Sequence, residues 1–373
     1  MRLSLVLLLL LPALQAAPND GLLTLDSPLL GQIIQRTTQQ QGVVHFSGKT
    51  TGAKETPDTV EIQSYDSDLQ KVSHHSIPVK DASFTADLTF KPGAYRFEIT
   101  LTRQQKVVGQ FRMVAVGIGE VFYVTGQSNS ANHGEVKMAC ESEYVQTFTG
   151  KAWQECIDPQ PGASGNGGSF MPELGDELEK RLHVPIGFVA GGIGATSVRE
   201  WLPAGVKFTE PPTLRGRVRA LPDGTWESNG KAYDTLIERL KVMGIHGVRA
   251  VLWHQGESDA HQKDPHCTLS GEKYQTYLGL LIKRSRQDIG WDVPWMVAQV
   301  SYHTPDDPGS DEIRQAQAAL WHQGLALQGP DSDALKGDLR ERKGQGVHFS
   351  AAGLRAHAHA WAEQLVPWIQ SQP

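Results

Sequence analysis

After Gly119 the sequence carries four continuous apolar runs, "VFYV", "IGFVAG", "VRAVLW" and "WMVAQV", separated by stretches of helical period. A strand that is apolar at every position has no solvated face, so each run predicts a strand buried on both sides. The covering layers come from the intervening patterns. Leu174, Leu178 and Leu182 recur after Pro172, and Leu354, Ala358, Trp361 and Leu365 after Ser350, at the spacing of one helix face. Buried strands alternating with amphipathic helices predict an α/β fold with a parallel sheet, over residues 118–373.

Upstream the texture differs. Residues 18–117 show short period-two alternation, as in "GVVHFSGKTTG", "TVEIQSYD" and "SFTADLTF", punctuated by Gly, Pro, Asp and Ser. That pattern predicts a smaller antiparallel β-sandwich domain ahead of the α/β domain. A chain of 373 residues has room for both. Residues 1–17 join a basic Arg2 to an apolar run ending in Ala16 and Ala17, the layout of a signal peptide. The run is too short to span a bilayer as a helix, although Leu14 spoils the cleavage box and a retained anchor is the alternative. Secretion or export to a periplasm is expected, with no membrane attachment in the mature form.

Ligands of open parallel sheets bind beyond the carboxyl ends of the strands. "VFYV" runs into Gly126, Gln127, Ser128 and Asn129, "IGFVAG" into a turn holding Gly192, Gly194 and Ala195, and "VLWH" into Gln255, Gly256, Glu257 and Ser258. His348 precedes the last helix in "GVHFSAAG". These parts suit acyl transfer. Ser128 would attack an ester carbonyl while His348 takes its proton and returns it to the leaving alcohol. The oxyanion would be held by the Ser128 N–H, a backbone N–H near Gly194 and the Gln255 amide. The register among Gly192, Gly194 and Ala195 stays open, and Glu257 either buttresses its loop or takes part.

The ordered blocks GQSN, a glycine turn followed by "TSVREW", "WHQGES" and "VHFSAAG" resemble the SGNH hydrolase superfamily and, within it, the sialate O-acetylesterase-like carbohydrate esterases. The resemblance covers residues 117 to 365 and implies a flavodoxin-like three-layer domain and a serine esterase that removes O-acetyl groups from carbohydrates. It implies Ser128 as nucleophile, Gly194 and Gln255 as oxyanion donors, and His348 as base. Members of that family carry an aspartate three residues before the histidine, where this chain has Gln345. Asp338, ahead of Glu341 because of its shorter side chain and the preceding Gly337, or else Glu257, would have to fold back onto the ring. A Ser128–His348 dyad is the alternative.

Other readings follow from composition and spacing. The net charge of −6 has no long run of one sign, so neither nucleic acid nor an acidic membrane is an expected partner; an acetylated carbohydrate is. Cys140 and Cys156 are expected to pair in an oxidising compartment, leaving Cys267 free. No Cys/His ligand spacing occurs, so neither metal nor cofactor is expected, and His357 and His359 are read as solvated. The Gly/Pro/Trp-rich stretches 202–230 and 303–345 are read as long loops building the cleft, with Trp201, Trp226 and Trp253 as candidate sugar platforms, packing being the commoner role of each. A carbohydrate-binding protein with decayed catalysis, and a lipase or peptidase on the same scaffold, are the competing functions.

Overall fold

A computed structural model describes residues 23–50 and 57–373. The signal-peptide reading of residues 1–17 lies outside the described residues. The chain divides into two compact units, one of residues up to 30, 44–88 and 95–116, the other of residues 31–43, 89–94 and 117–373.

The first unit is built from β-strands. Strands Leu23–Ser27, Gly42–Thr50 and Ser83–Phe90 form one sheet, while Lys71–Pro78, Thr59–Tyr65 and Gly93–Arg103 lie side by side in another. Alternation sets the inward face: Val44, Phe46, Val60, Ile62, Phe97, Ile99 and Leu101 are buried while their neighbours are not. Phe46 of the first sheet meets Phe97 of the second edge-to-face, with ring centroids 5.0 Å apart.

In the second unit the long strand Lys106–Gly126 contributes its Gly117–Gly126 half to the centre of a large mixed sheet. Ile186–Ala190 and then Val145–Phe148 follow in parallel on one side, and Ala250–His254, Trp295–Gln299 and Leu327–Asp331 on the other. From the central strand the chain goes out to Val145–Phe148 and back to Ile186–Ala190 on one side, then runs outward strand by strand on the other, so the carboxyl end of the central strand adjoins the switch point. Helices Met171–Leu182 and Ala351–Gln370 cover one face, with Leu174, Leu178, Leu354, Ala358, Trp361 and Leu365 packed on Phe122, Val124, Phe188 and Leu252. The alternate strand residues Val121, Tyr123, Val251, Trp253 and Val297 are equally buried. Each such side chain removed from water contributes about 1.5–3 kcal/mol.

Two features differ from the sequence reading. Residues 303–345 are not a loop: they contain the helix Asp311–His322, capped by Ser310, and the parallel strand Leu327–Asp331. Residues 202–230 hold a small sheet of Lys207–Phe208, Trp226–Ser228 and Val218–Ala220. Among the described residues no helix is long and apolar enough to cross a membrane.

Candidate active site

The central strand ends at Gly126, and Ser128 opens the one-turn helix Ser128–Ser130 directly beyond it. Three neighbouring turns fix this one. The Gln127 N–H donates to His254 O (2.9 Å) and the Ile193 N–H to Gly126 O (2.9 Å). The Gln127 carboxamide oxygen accepts from Gln255 Nε2 (3.1 Å) and the Ser258 N–H (3.0 Å), and Asn129 Nδ2 donates to Glu257 Oε1 (2.9 Å) and Val347 O (3.2 Å). The Ser128 turn, the "WHQGES" turn and the histidine loop are thus tied through the side chains on either side of Ser128.

These turns surround a cleft of 690 Å³ whose lining includes Gln127, Ser128, His133, Ser164, Gly194, Arg217, Glu257 and His348. Among its described lining residues the apolar side chains are Ile193, Ala195 and Val347, and none is Trp, Tyr or Phe. The tryptophans considered as sugar platforms are elsewhere. Trp201 and Trp253 are buried against each other, with centroids 5.4 Å apart, and Trp226 lies under Arg215 in the small sheet.

His348 stands two residues before Ser350, the N-cap of the last helix. Its Nδ1 lies 2.9 Å from Glu341 Oε1, and the two side chains are 21% and 13% exposed. Glu341 reaches back across seven residues because the chain turns sharply: Arg342 and Lys343 have φ of 53° and 55°, followed by Gly344 at 85°. The excursion is closed at its base by the Arg340–Phe349 bridge and the Glu341 N–H to His348 O bond (2.9 Å). Gly346 lies under the acid, where any Cβ would overlap Glu341 Cγ. From inside, Arg340 donates to Val347 O, Leu335 O and Ser332 O at 2.6–2.7 Å.

Asp338, expected ahead of Glu341, is not brought to the imidazole. It is exposed in the turn Gly337–Leu339, and its backbone carbonyl accepts from Ser350 Oγ (2.6 Å). Gln345 is exposed at the end of the same excursion. Glu257 faces the cleft but bonds Asn129, not the ring.

Burial holds the His348 pKa below the ordinary imidazole value, against the upward pull of Glu341. The His133 ring lies alongside, 5.4 Å away and tilted by 27°. Its pKa is also lowered, by burial first and by His348 second. Burial raises the Glu257 carboxyl to about 7, and among the described residues its Oε2 has no hydrogen-bond partner.

The expected oxyanion donors are divided. Among the described residues the Ser128 N–H makes no hydrogen bond. Gly194 lines the cleft, whereas Gly192 packs on Ser130; at Gly194 a Cβ would stand 2.7 Å from His133 Nε2, so the close ring requires glycine. Gln255 is fully buried beneath the cleft. Its Nε2 lies near Asp259 Oδ2 (2.7 Å), Thr196 O (3.0 Å) and Gln127 Oε1 (3.1 Å), and its Oε1 accepts from Tyr274 Oη (3.1 Å).

Further corrections concern cysteine and histidine. Cys140 and Cys156 are free thiols, as is Cys267; the first two share a backbone bond (Cys140 N–H to Cys156 O, 3.1 Å), but their sulfurs turn to Val145 O and Gln160 Oε1. His357 is not solvated but fully buried, its Nε2 accepting from Trp361 Nε1 (3.0 Å). His359 is exposed and forms a surface group with Glu177 and Glu363, the one cluster of metal-ligating type among the described residues; Arg181 binds both carboxylates.

A family model described as carbohydrate esterase, sialic acid-specific acetylesterase, matches residues 118–367. A protein of Arabidopsis thaliana described as a probable carbohydrate esterase is 28% identical over 216 residues, covering 54% of this chain and 75% of the plant protein. The crystal structure of a carbohydrate acetylesterase from Xanthomonas citri shares the fold, with a TM-score of 0.52 at 17% identity over 91% of this chain and 74% of that one.

Proposed function

The chain belongs to the carbohydrate esterase family of sialic acid-specific acetylesterases, and on that premise we propose that it removes O-acetyl groups from carbohydrates through an acetyl-enzyme on Ser128. Family membership makes it an ester hydrolase whose substrate is an acetylated carbohydrate. The observation that carries the serine mechanism is the shared cleft: Ser128 and a histidine bonded through Nδ1 to a carboxylate line the same cavity.

In this reading Ser128 Oγ attacks the acetyl carbonyl as its proton passes to His348 Nε2. Glu341 holds the ring with its proton on Nδ1 and stabilises the imidazolium formed. The Ser128 N–H meets the oxyanion. His348 then protonates the sugar alkoxide, which leaves, and deprotonates the water that hydrolyses the acetyl-enzyme. Gln127, Ser164, Arg217 and Glu257 in the lining can meet sugar hydroxyls.

A decayed, merely carbohydrate-binding scaffold drew its support from the missing aspartate, and Glu341 takes away that support. The SGNH assignment of the second unit, the sandwich assignment of the first and export directed by residues 1–17 belong to the same proposal.

The test is Ser128→Ala with 4-nitrophenyl acetate. Turnover is expected to fall by at least about a thousandfold in a folded protein, and mass spectrometry of quenched wild type should find the acetyl group on the Ser128 peptide. Near-normal turnover in the variant removes the serine mechanism.

A further inference from the structure

We propose that the Ser164 hydroxyl is the side-chain donor of the oxyanion hole, polarised by the Gly194 N–H. This rests on the serine-esterase reading above. A tetrahedral oxyanion needs donors already aimed at it. Gln255, the amide expected to serve, is buried and its amide nitrogen is committed to Asp259 Oδ2, Thr196 O and Gln127 Oε1. The Gly194 N–H is not free either: it donates to Ser164 Oγ at 2.6 Å. Ser164 lines the cleft together with Ser128, Gly194 and His348.

The position of Ser164 is fixed by its backbone. Its N–H donates to Gly192 O (2.9 Å) and its carbonyl accepts from the Asn132 N–H (2.9 Å), so it is pinned between the glycine turn and the segment that follows Ser128. Its oxygen has two lone pairs and one proton. One lone pair takes the Gly194 N–H. His133 Nε2 lies 3.2 Å away, and in the tautomer protonated at Nε2 the ring fills the second. The hydroxyl proton is then left for the cleft, on an oxygen polarised by two incoming donors, which strengthens its own donation. Ser164 so passes to the oxyanion the polarisation of the N–H it covers.

Ser164→Ala and Ser164→Thr test the assignment, with Ser128→Ala measured alongside. Ser164→Ala is expected to lower kcat for 4-nitrophenyl acetate by about a hundredfold to a thousandfold, the usual cost of one oxyanion donor, with KM within about twofold. Affinity for a trifluoromethyl ketone, which the serine converts to a tetrahedral adduct, should fall in parallel. Ser164→Thr, which keeps the hydroxyl, should recover most of both. Unchanged kcat in Ser164→Ala overturns the proposal, and increased kcat does too, since the hydroxyl would then merely plug the Gly194 N–H. A loss that threonine does not restore, or that leaves ketone affinity intact, marks a structural role and also overturns it. If Ser128→Ala is inactive while Ser164→Ala matches wild type, the oxyanion assignment alone fails. An active Ser128→Ala removes the serine mechanism and this assignment together.

Discussion

Replacing Glu341 by Gln tests the part of the site least expected from the sequence. The change preserves shape and removes one charge from a pair whose members are 2.9 Å apart and mostly shielded from solvent. With about 4 Å between charge centres and an effective dielectric of about 20, the carboxylate stabilises an imidazolium by about 4 kcal/mol. At about 1.4 kcal/mol per decade this is roughly a thousandfold in rate. An amide can also hold the ring in the wrong tautomer, an effect that brings the loss to about ten-thousandfold in a serine protease. Glu341→Gln should therefore lower kcat/KM for 4-nitrophenyl acetate by about 10³ to 10⁴ with an unchanged unfolding transition, while Asp338→Asn, whose side chain is exposed away from the ring, should stay within about twofold. Activity of Glu341→Gln within about tenfold of wild type, or an equal loss in Asp338→Asn, would refute the reasoning.

Because burial lowers the pKa of His348 and the base must be neutral, the acid limb of kcat/KM should lie below the ordinary imidazole value. Glu341 pulls that pKa upward, so Glu341→Gln should move the limb further to acid; an alkaline displacement contradicts the assignment. His254 and His357 are buried with ring centroids 4.8 Å apart, their pKa values pushed down, that of His254 to about 3, by burial and the nearby Arg340. Both must be neutral in the fold and can charge when unfolded, so the melting temperature should fall as pH drops below about 6.5, and His357→Phe should flatten that dependence. Thiol titration of the denatured, unreduced protein should find all three cysteines free; finding one would restore the Cys140–Cys156 bridge.

Much of the second unit was legible because burial on both faces leaves an unbroken apolar signature. "IGFVA", "AVLWH" and "WMVAQ" are strands where the runs predict them, and the helix after Ser350 buries the four residues its spacing selects. Leu327–Asp331 was missed because its sequence, LQGPD, carries Gly329 and Pro330 and reads as a turn; its place at the sheet edge tolerates both. Trp201 and Trp253 turned out to be packing, the commoner role of a tryptophan beside a turn, and not sugar platforms. Glu341 was legible only as one of several acids. Asp338 has the shorter side chain and the helpful glycine, but selecting Glu341 requires Arg342 and Lys343 to enter the left-handed region, which no local propensity announces. Ser164, in "GASGNGGS", carried no signal at all, because what distinguishes it is contact with Gly194 and His133, 30 and 31 residues away.

The closed excursion between Arg340 and Phe349 has a kinetic consequence. Imidazole and carboxylate ride on one small platform whose internal bonds are local, while Ser128 stands on the sheet. Displacement of the platform would carry both passengers together, keeping the Nδ1 contact while lengthening the path for the proton from Ser128. Loosening its anchor, as in Arg340→Met, should therefore dissociate two properties that usually fail together: the histidine would still titrate beside Glu341, moved upward by loss of the Arg340 charge and followed by NMR, while the serine loses its reactivity toward a fluorophosphonate.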